Sequence, residues 1–592
     1  MILRLIDWLI IASFFLLSLV IGLYASKRAG KSTAEFFLSG RNMPWWLLGI
    51  SMVATTFSCD TPNLVTDLVR QSGVAGNWAW WAFLLTGMLT VFIYAKLWRR
   101  SGVMTDLEFY ELRYSGKMAS FLRGFRALYL GAFFNIMVIA LVSLALIKIG
   151  AVMLQWPAWK TLLIASTITL IYSALGGLRG ILLTDFFQFL LAMVGAIGAA
   201  IIVLKLPDVG GIHGLIHNPA LHGKLGLLPD FNNREALITL LILPLAIQWW
   251  SVWYPGSEPG GGGYIAQRML SAKNESGAVK ATLLFNVAHY ALRPWPWIIV
   301  ALTSIIVFPD LSSLANAFPH IDKDIIRHDL AYPAMLSFLP AGFLGLVVAS
   351  LVAAFMSTVS TQLNWGASYI VNDFYHRFLD RNASEKKLVI VARITTVILM
   401  ILAALFTLLL SNALQAFRIL LQIGAGTGLI FILRWFWWRI NAFSELSAMI
   451  ISFIVAVYFQ IIHPLTGLPA INPSTQLVSG VVITTITWLA VTWLTPPVDM
   501  ETLAGFHRLV QTGGPGWKKV ILQINGEHDI MGSYGQKWDV PRGILCMVIG
   551  CFAVYAILFA TGYWIYRNMI PALILSSVSI VSVFLLIKIW KR

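Results

Sequence analysis

The sequence predicts an all-α polytopic membrane protein with about 15 transmembrane helices. Three observations carry that reading. Hydrophobic residues make up 58% of the 592-residue chain and charged residues 11%, with a mean hydropathy of +0.78. A soluble domain carries about 25% charged residues, so a chain with half that share cannot clothe a soluble surface of this size. Apolar runs long enough to span a bilayer follow one another along the whole chain, and the basic residues fall in short blocks between them. That is the positive-inside pattern. The net charge of +16 therefore reports orientation, and nucleic-acid binding is excluded as its cause.

The first run, 6–26, is long enough to span and has no small-residue cleavage site before Lys27, Arg28 and Lys31. It reads as a helix and not as a cleaved signal. Runs at 44–72, 76–98, 120–154, 158–177 and 181–206 form one group of five, and runs at 236–270, 281–308, 336–375, 388–411 and 413–434 form another. Runs at 443–463, 475–495, 543–563 and 569–590 complete the series.

The layout expected is a peripheral helix with its cytoplasmic loop (1–43), a first inverted repeat (44–206), an extracytoplasmic loop (207–235) and a second inverted repeat (236–434). Peripheral helices (435–495), a cytoplasmic loop with one short helix (496–542) and two last helices (543–592) follow. With the N-terminus outside, about 30 of the 42 Lys and Arg fall in inside segments and roughly 7 outside. The C-terminus is then cytoplasmic. The only two Asn-x-Ser/Thr sequons, at Asn274 and Asn382, lie on the predicted inside, which favours a bacterial inner membrane. Cys59, Cys546 and Cys551 lie in or beside apolar runs, with no metal or disulfide spacing.

Two runs are broken. The second contains Ala54-Thr-Thr-Phe-Ser-Cys-Asp-Thr-Pro62, a polar patch with a charge and a proline in mid-span. The seventh contains Pro255-Gly-Ser-Glu-Pro-Gly-Gly-Gly-Gly263, through which no helix continues. Non-helical backbone at membrane depth is tolerated where it is buried or lines a cavity. Paired breaks opening two halves point to a transporter's binding site.

Candidate residues gather there. Ser58 and Asp60 lie at the first break and Glu258 at the second, with Trp253 and Tyr254 beside it. His289 and Arg293 share one face of the eighth helix. Carboxylates, aromatics and hydroxyls suit a neutral sugar, and Arg293 would instead suit a carboxylated solute. Carbonyls of Ala54 and Phe57, with Ala354, Ser357 and Thr358, offer the hard, weakly charged oxygens that sodium prefers. The same hydroxyls also serve close helix packing. Asp185 either relays a cation inward or pairs with Arg179. The chain has no P-loop, Gly-x-Ser-x-Gly, His-Glu-x-x-His or Cys-x-x-Cys, so nothing marks it as an enzyme.

Five blocks in order resemble the sodium:solute symporter family, in its bacterial sugar-transporter-like branch. They are Phe36-Phe-Leu-Ser-Gly-Arg-Asn42, Tyr172 to Gln188, Tyr264 to Asn274, Ala353 to Tyr375 and Trp437-Trp-Arg-Ile-Asn441. The resemblance implies the inverted-repeat leucine-transporter-like fold and Na+ as co-transported ion. It implies a sodium site of Ala54, Phe57, Ala354, Ser357 and Thr358, with Asp185 on the sodium exit route. Trp253-Tyr254 resembles an aromatic pair that gates sugar from below, and Gln422 stands where a glutamine of the tenth core helix contacts sugar. The family's sugar-binding lysine has no counterpart, and His289 or Arg293 lies nearby.

The expectation is a sodium-coupled symporter of a small polar organic solute, in a bilayer and with no nucleic-acid or obligate protein partner. Proton coupling, which would rest on Asp60 or Glu258, and a carboxylated substrate are the alternatives. A membrane sensor on a transporter fold would need an appended signalling domain, for which 496–542 is too small.

Overall fold

A computed structural model describes residues 3–56, 58–252, 258–408, 413–525 and 538–591. These residues are helical almost throughout, and the only pairing of extended backbone is an isolated parallel bridge between Met43 and Ala272. Eleven helices among them are long and apolar enough to cross a membrane, and Trp45–Thr56, Ala158–Ile171 and Gln422–Leu433 are shorter apolar helices.

Burial separates core from periphery. In helix Phe343–Leu379 the most apolar window is 83% buried by other helices, against 11% in Met569–Trp590 and 28% in Pro473–Leu494. The central helix carries Ser357, Ser360, Thr361, Gln362 and Asn364, all buried. A polar stripe of that kind is tolerated in a bilayer only with protein around it. The last helices present leucine, isoleucine and valine outward, as a lipid-facing helix does.

The first helix, Leu5–Ala29, lies outside both groups of five yet is tied to the central one. The buried Asp7 carboxylate accepts hydrogen bonds from the backbone amides of Gly342 (2.6 Å) and Gly345 (2.7 Å). A carboxylate there satisfies amides that have no partner inside the helix, and it complements the positive end of the helix dipole.

Both expected breaks are present. Helix Trp45–Thr56 stops and Asp60–Ser72 resumes, with Ser58 and Cys59 between. The second broken helix runs from Arg234 through Trp250 in short turns and resumes as Gly263–Ser271. Gly261 has a φ of 89°, in the left-handed region, and a Cβ there would lie 2.5 Å from the Met269 methyl. Val252, at the edge of the break, presses against helix Ala413–Leu433: its amide donates to Gly424 O at 3.2 Å, and a Cβ on Gly424 would collide with Val252 O.

Two expectations are corrected. The runs expected as separate at 158–177 and 181–206 are divided by a single non-helical residue, Gly177, between two helical stretches of 158–204. The segment expected as a loop with one short helix, 496–542, holds two helices among its described residues, Met500–Val510 and Lys518–Asn525, joined by the turn Pro515–Trp517. Phe506 and Trp517 are buried, and the Trp517 indole donates to Trp435 O at 2.9 Å. Arg100 donates to Val510 O at 2.9 Å, so the loop spans from the first group of helices to the end of the second.

Candidate functional site

Beside the first break lies a cavity of about 110 Å³, lined by Thr56, Ser58, Asp60, Trp80, His289 and Tyr290 among others. The Ser58 hydroxyl and Asp60 Oδ1 are buried in its wall without hydrogen-bond partners. Trp80 forms an aromatic face, 5.9 Å from the Tyr290 ring and stacked on it, and 5.5 Å from His289. Oxygen acceptors, a hydroxyl and aromatic faces around one small space suit a polar solute with apolar ring faces.

One side of this cavity is Thr358 of the central helix, whose hydroxyl donates to Thr55 O at 2.7 Å. Ala54, Ala354, Ser357 and Thr358 are all buried, and helix Trp45–Thr56 packs on helix Phe343–Ser368. Four of the five residues expected to hold sodium thus lie on two helices in contact, next to the unwound segment. Phe57, Trp253 and Tyr254 lie outside the described residues.

Asp185 does not pair with Arg179. Its buried carboxylate accepts from the Ser357 hydroxyl at 2.6 Å and from the Ser51 hydroxyl, and the Arg268 guanidinium is 3.9 Å away. Arg268 also donates to Ser51 at 3.2 Å and to Thr361 at 2.8 Å. A buried carboxylate is tolerated when hydrogen bonds and a cation surround it, and here they do. Asp185 therefore sits one hydroxyl from Thr358 and joins the two broken helices to the central one.

Three expected solute contacts are placed otherwise. Arg293 is fully buried, donates to Val53 O at 3.1 Å and Thr56 O at 3.3 Å, and lies 5.2 Å from the Trp297 ring. It caps carbonyls that the end of helix Trp45–Thr56 leaves without intrahelical donors. Glu258 pairs with Arg126, each 3% exposed, and lines two smaller cavities of about 40 and 50 Å³. The larger of these shares His289 and Tyr290 with the central cavity. Gln422 lines a separate cavity.

Sequence reading missed Arg126, although a charge inside the apolar helix Gly116–Leu154 is a signal in itself. It also missed Asp106, which accepts from the Gly263 amide at 2.9 Å and from the Tyr369 hydroxyl. Asp106 thereby holds the start of the second broken helix's inner half to the central helix.

The family model of the sodium:solute symporter family matches residues 36–452. The chain is similar to the sodium/glucose cotransporter of Vibrio parahaemolyticus, with 27% identity over 487 residues covering 77% of this chain and 85% of the relative. It is similar to the human sodium/myo-inositol cotransporter 2, with 26% identity over 548 residues covering 84% and 78%. Its fold is that of a Na+-coupled sialic acid symporter in a substrate-bound outward-open state, with a TM-score of 0.66 and 21% identity over 84% of this chain and 99% of that one. The chain belongs to the sodium:solute symporter family, and it is a sodium-coupled membrane transporter, not an enzyme.

Proposed function

We propose that an inward sodium gradient drives this protein to import a small neutral polyhydroxylated solute, a sugar or sugar derivative, across a bacterial inner membrane. The observation that carries the reading is shared backbone. Thr55, in the last turn of helix Trp45–Thr56, accepts from the Thr358 hydroxyl, and Thr55, Thr56, Ser58 and Thr358 all line the central cavity. Sodium held by the carbonyls of Ala54 and Phe57, with Ala354, Ser357 and Thr358, would fix the conformation of the wall that the solute meets. Differential affinity of the ion for the state with that wall in place then supplies the coupling.

The neutral class rests on two placements. Asp60 is the carboxylate at the central cavity, and it accepts hydrogen bonds from hydroxyls but repels anions. Arg293, which a carboxylated solute would need, is turned to backbone carbonyls. The similarity to glucose and myo-inositol cotransporters supports the same class. The N-terminus is outside and the C-terminus cytoplasmic in this reading. Residues 44–206 and 236–434 are the two inverted repeats.

The test is thermal stabilisation of the purified protein by sugars, sugar acids and amino acids, each in sodium and in potassium. A neutral sugar or cyclitol should stabilise in sodium only, and Ser357→Ala with Thr358→Ala should remove the sodium effect. Stabilisation that ignores sodium and follows pH would move the coupling to Asp60 or Glu258.

A further inference from the structure

A second cavity, of about 580 Å³, is walled by the second broken helix and by residues that do not line the central one. Its volume falls in the roughly 300–1,000 Å³ range of small-molecule sites. Its walls carry Gln248, Gln422, Gln460, Asn472 and Gln476, with Glu235 at the rim and no lysine or arginine among the lining residues. These amides come from four separate parts of the chain. Gln422 lies inside helix Ala413–Leu433, about 13 Å from its first residue at 1.5 Å per residue.

Amides at that depth are costly in a bilayer and mark a functional surface unless they only bind helices together. Helix binding accounts for part of the set. Gln460 Nε2 donates to Gln422 Oε1 at 2.6 Å and to Gln476 Oε1 at 2.9 Å, and Gln476 Nε2 donates to Ile471 O at 2.9 Å. It does not account for the open space, or for Gln422 Nε2, which is buried without a partner. Gln248 adds a link inward. Its Nε2 donates to Ala79 O at 2.6 Å, and the next residue, Trp80, is the aromatic face of the central cavity.

Each amide both donates and accepts, as a hydroxyl does. A charged solute would need a fixed counter-charge in such a space, and a neutral polyol needs none. We propose that this chamber is a second solute site, for a neutral polyhydroxylated molecule, that binds without sodium and is distinct from the central cavity. None of the residues assigned to sodium lines it. The choice of sugar as probe rests on the function proposed above, and the amide chemistry stands by itself.

The test is saturation-transfer NMR of D-glucose and of myo-inositol on the purified protein in nanodiscs, first in potassium chloride and then in sodium chloride. At least one probe should bind in potassium. Gln460→Leu should weaken that binding about tenfold, because it removes one lining amide and the two hydrogen bonds by which it orients Gln422 and Gln476 toward the space. Gln476→Ala removes one amide near the start of helix Pro473–Leu494 and serves if the leucine variant does not fold. Both variants should leave the extra binding gained in sodium unchanged, and Asp60→Asn should remove that increment alone. No binding of either probe in potassium, or potassium binding unchanged in the chamber variants, overturns the proposal. A missing sodium increment instead overturns the central-site reading and leaves the potassium signal to judge the chamber.

Discussion

Removing the charge of Arg126 should cost about 3–5 kcal/mol of stability, because it strands the Glu258 carboxylate in the protein interior. Both side chains are 3% exposed. The Arg126 guanidinium lies 5.2 Å from the Tyr110 ring and 4.9 Å from the Phe431 ring, so aromatic faces enclose the pair. Glu258 Oε2 is already buried without a partner, which leaves the carboxylate dependent on this one pairing. Arg126→Met keeps an unbranched apolar stem against the rings and removes only the charge. Glu258→Gln should cost a similar amount by stranding the guanidinium. The double variant should recover most of the loss, since a buried ion pair is close to neutral against uncharged groups of similar volume. The assay is a denaturant titration in mixed micelles for the four proteins, read as a double-mutant cycle. A loss below about 1 kcal/mol for Arg126→Met alone would place the carboxylate in contact with water and refute the reasoning.

Other expectations follow from single contacts. Ser357→Ala with Thr358→Ala should abolish sodium-dependent stabilisation while the protein still folds, checked by melting in sodium and in potassium. Asp60→Asn should weaken solute binding about ten- to a hundredfold, the range for a hydrogen bond to a charged acceptor, checked by titration calorimetry in sodium. Gly261→Ala should cost about 1–3 kcal/mol, because φ is 89° there and the new methyl meets Met269, checked by the same micelle titration. Between two membrane-spanning helices, burial would raise the Glu111 carboxyl, but Arg377, Ser120 and Arg123 outweigh it and hold the pKa down to about 2. A depressed carboxylate stabilises the fold above its unfolded value near 4.5, and the contribution fades as pH falls toward 2. Glu111→Gln should therefore flatten the loss of stability over that interval, checked by melting between pH 5 and about pH 2.

The breaks were legible because their signals are local. Two prolines and a run of glycines end a helix whatever surrounds it. The hydroxyl stripe of 357–364 was legible for the same reason, since small polar residues stand out against an apolar helix. The destinations of charges were not legible. Arg293 on a helix face can meet a solute or a carbonyl, and only the fold brings the frayed end of helix Trp45–Thr56 within its reach. Asp185 had Arg179 close in sequence, yet its contacts are Ser51, Ser357 and Arg268, none of them a neighbour along the chain. The glycines around 513–516 suggested a loop with one short helix, but they separate two, and Phe506 and Trp517 close on Trp435. Gln422 was marked as a solute contact, but the cavity it lines is walled by residues of 235–248 and 460–477, which no motif announces.

The clasp between Asp7 and the amides of Gly342 and Gly345 has a temporal consequence. The two sides of that contact are 335 residues apart in the chain. At about 5–20 residues per second, a ribosome takes roughly 20–70 s to deliver the second after the first. Throughout that interval the first helix holds a carboxylate whose final partners do not yet exist, at a position where its charge is unwelcome in lipid. Its place in the bilayer is therefore provisional during synthesis, and it becomes fixed only when the central helix arrives.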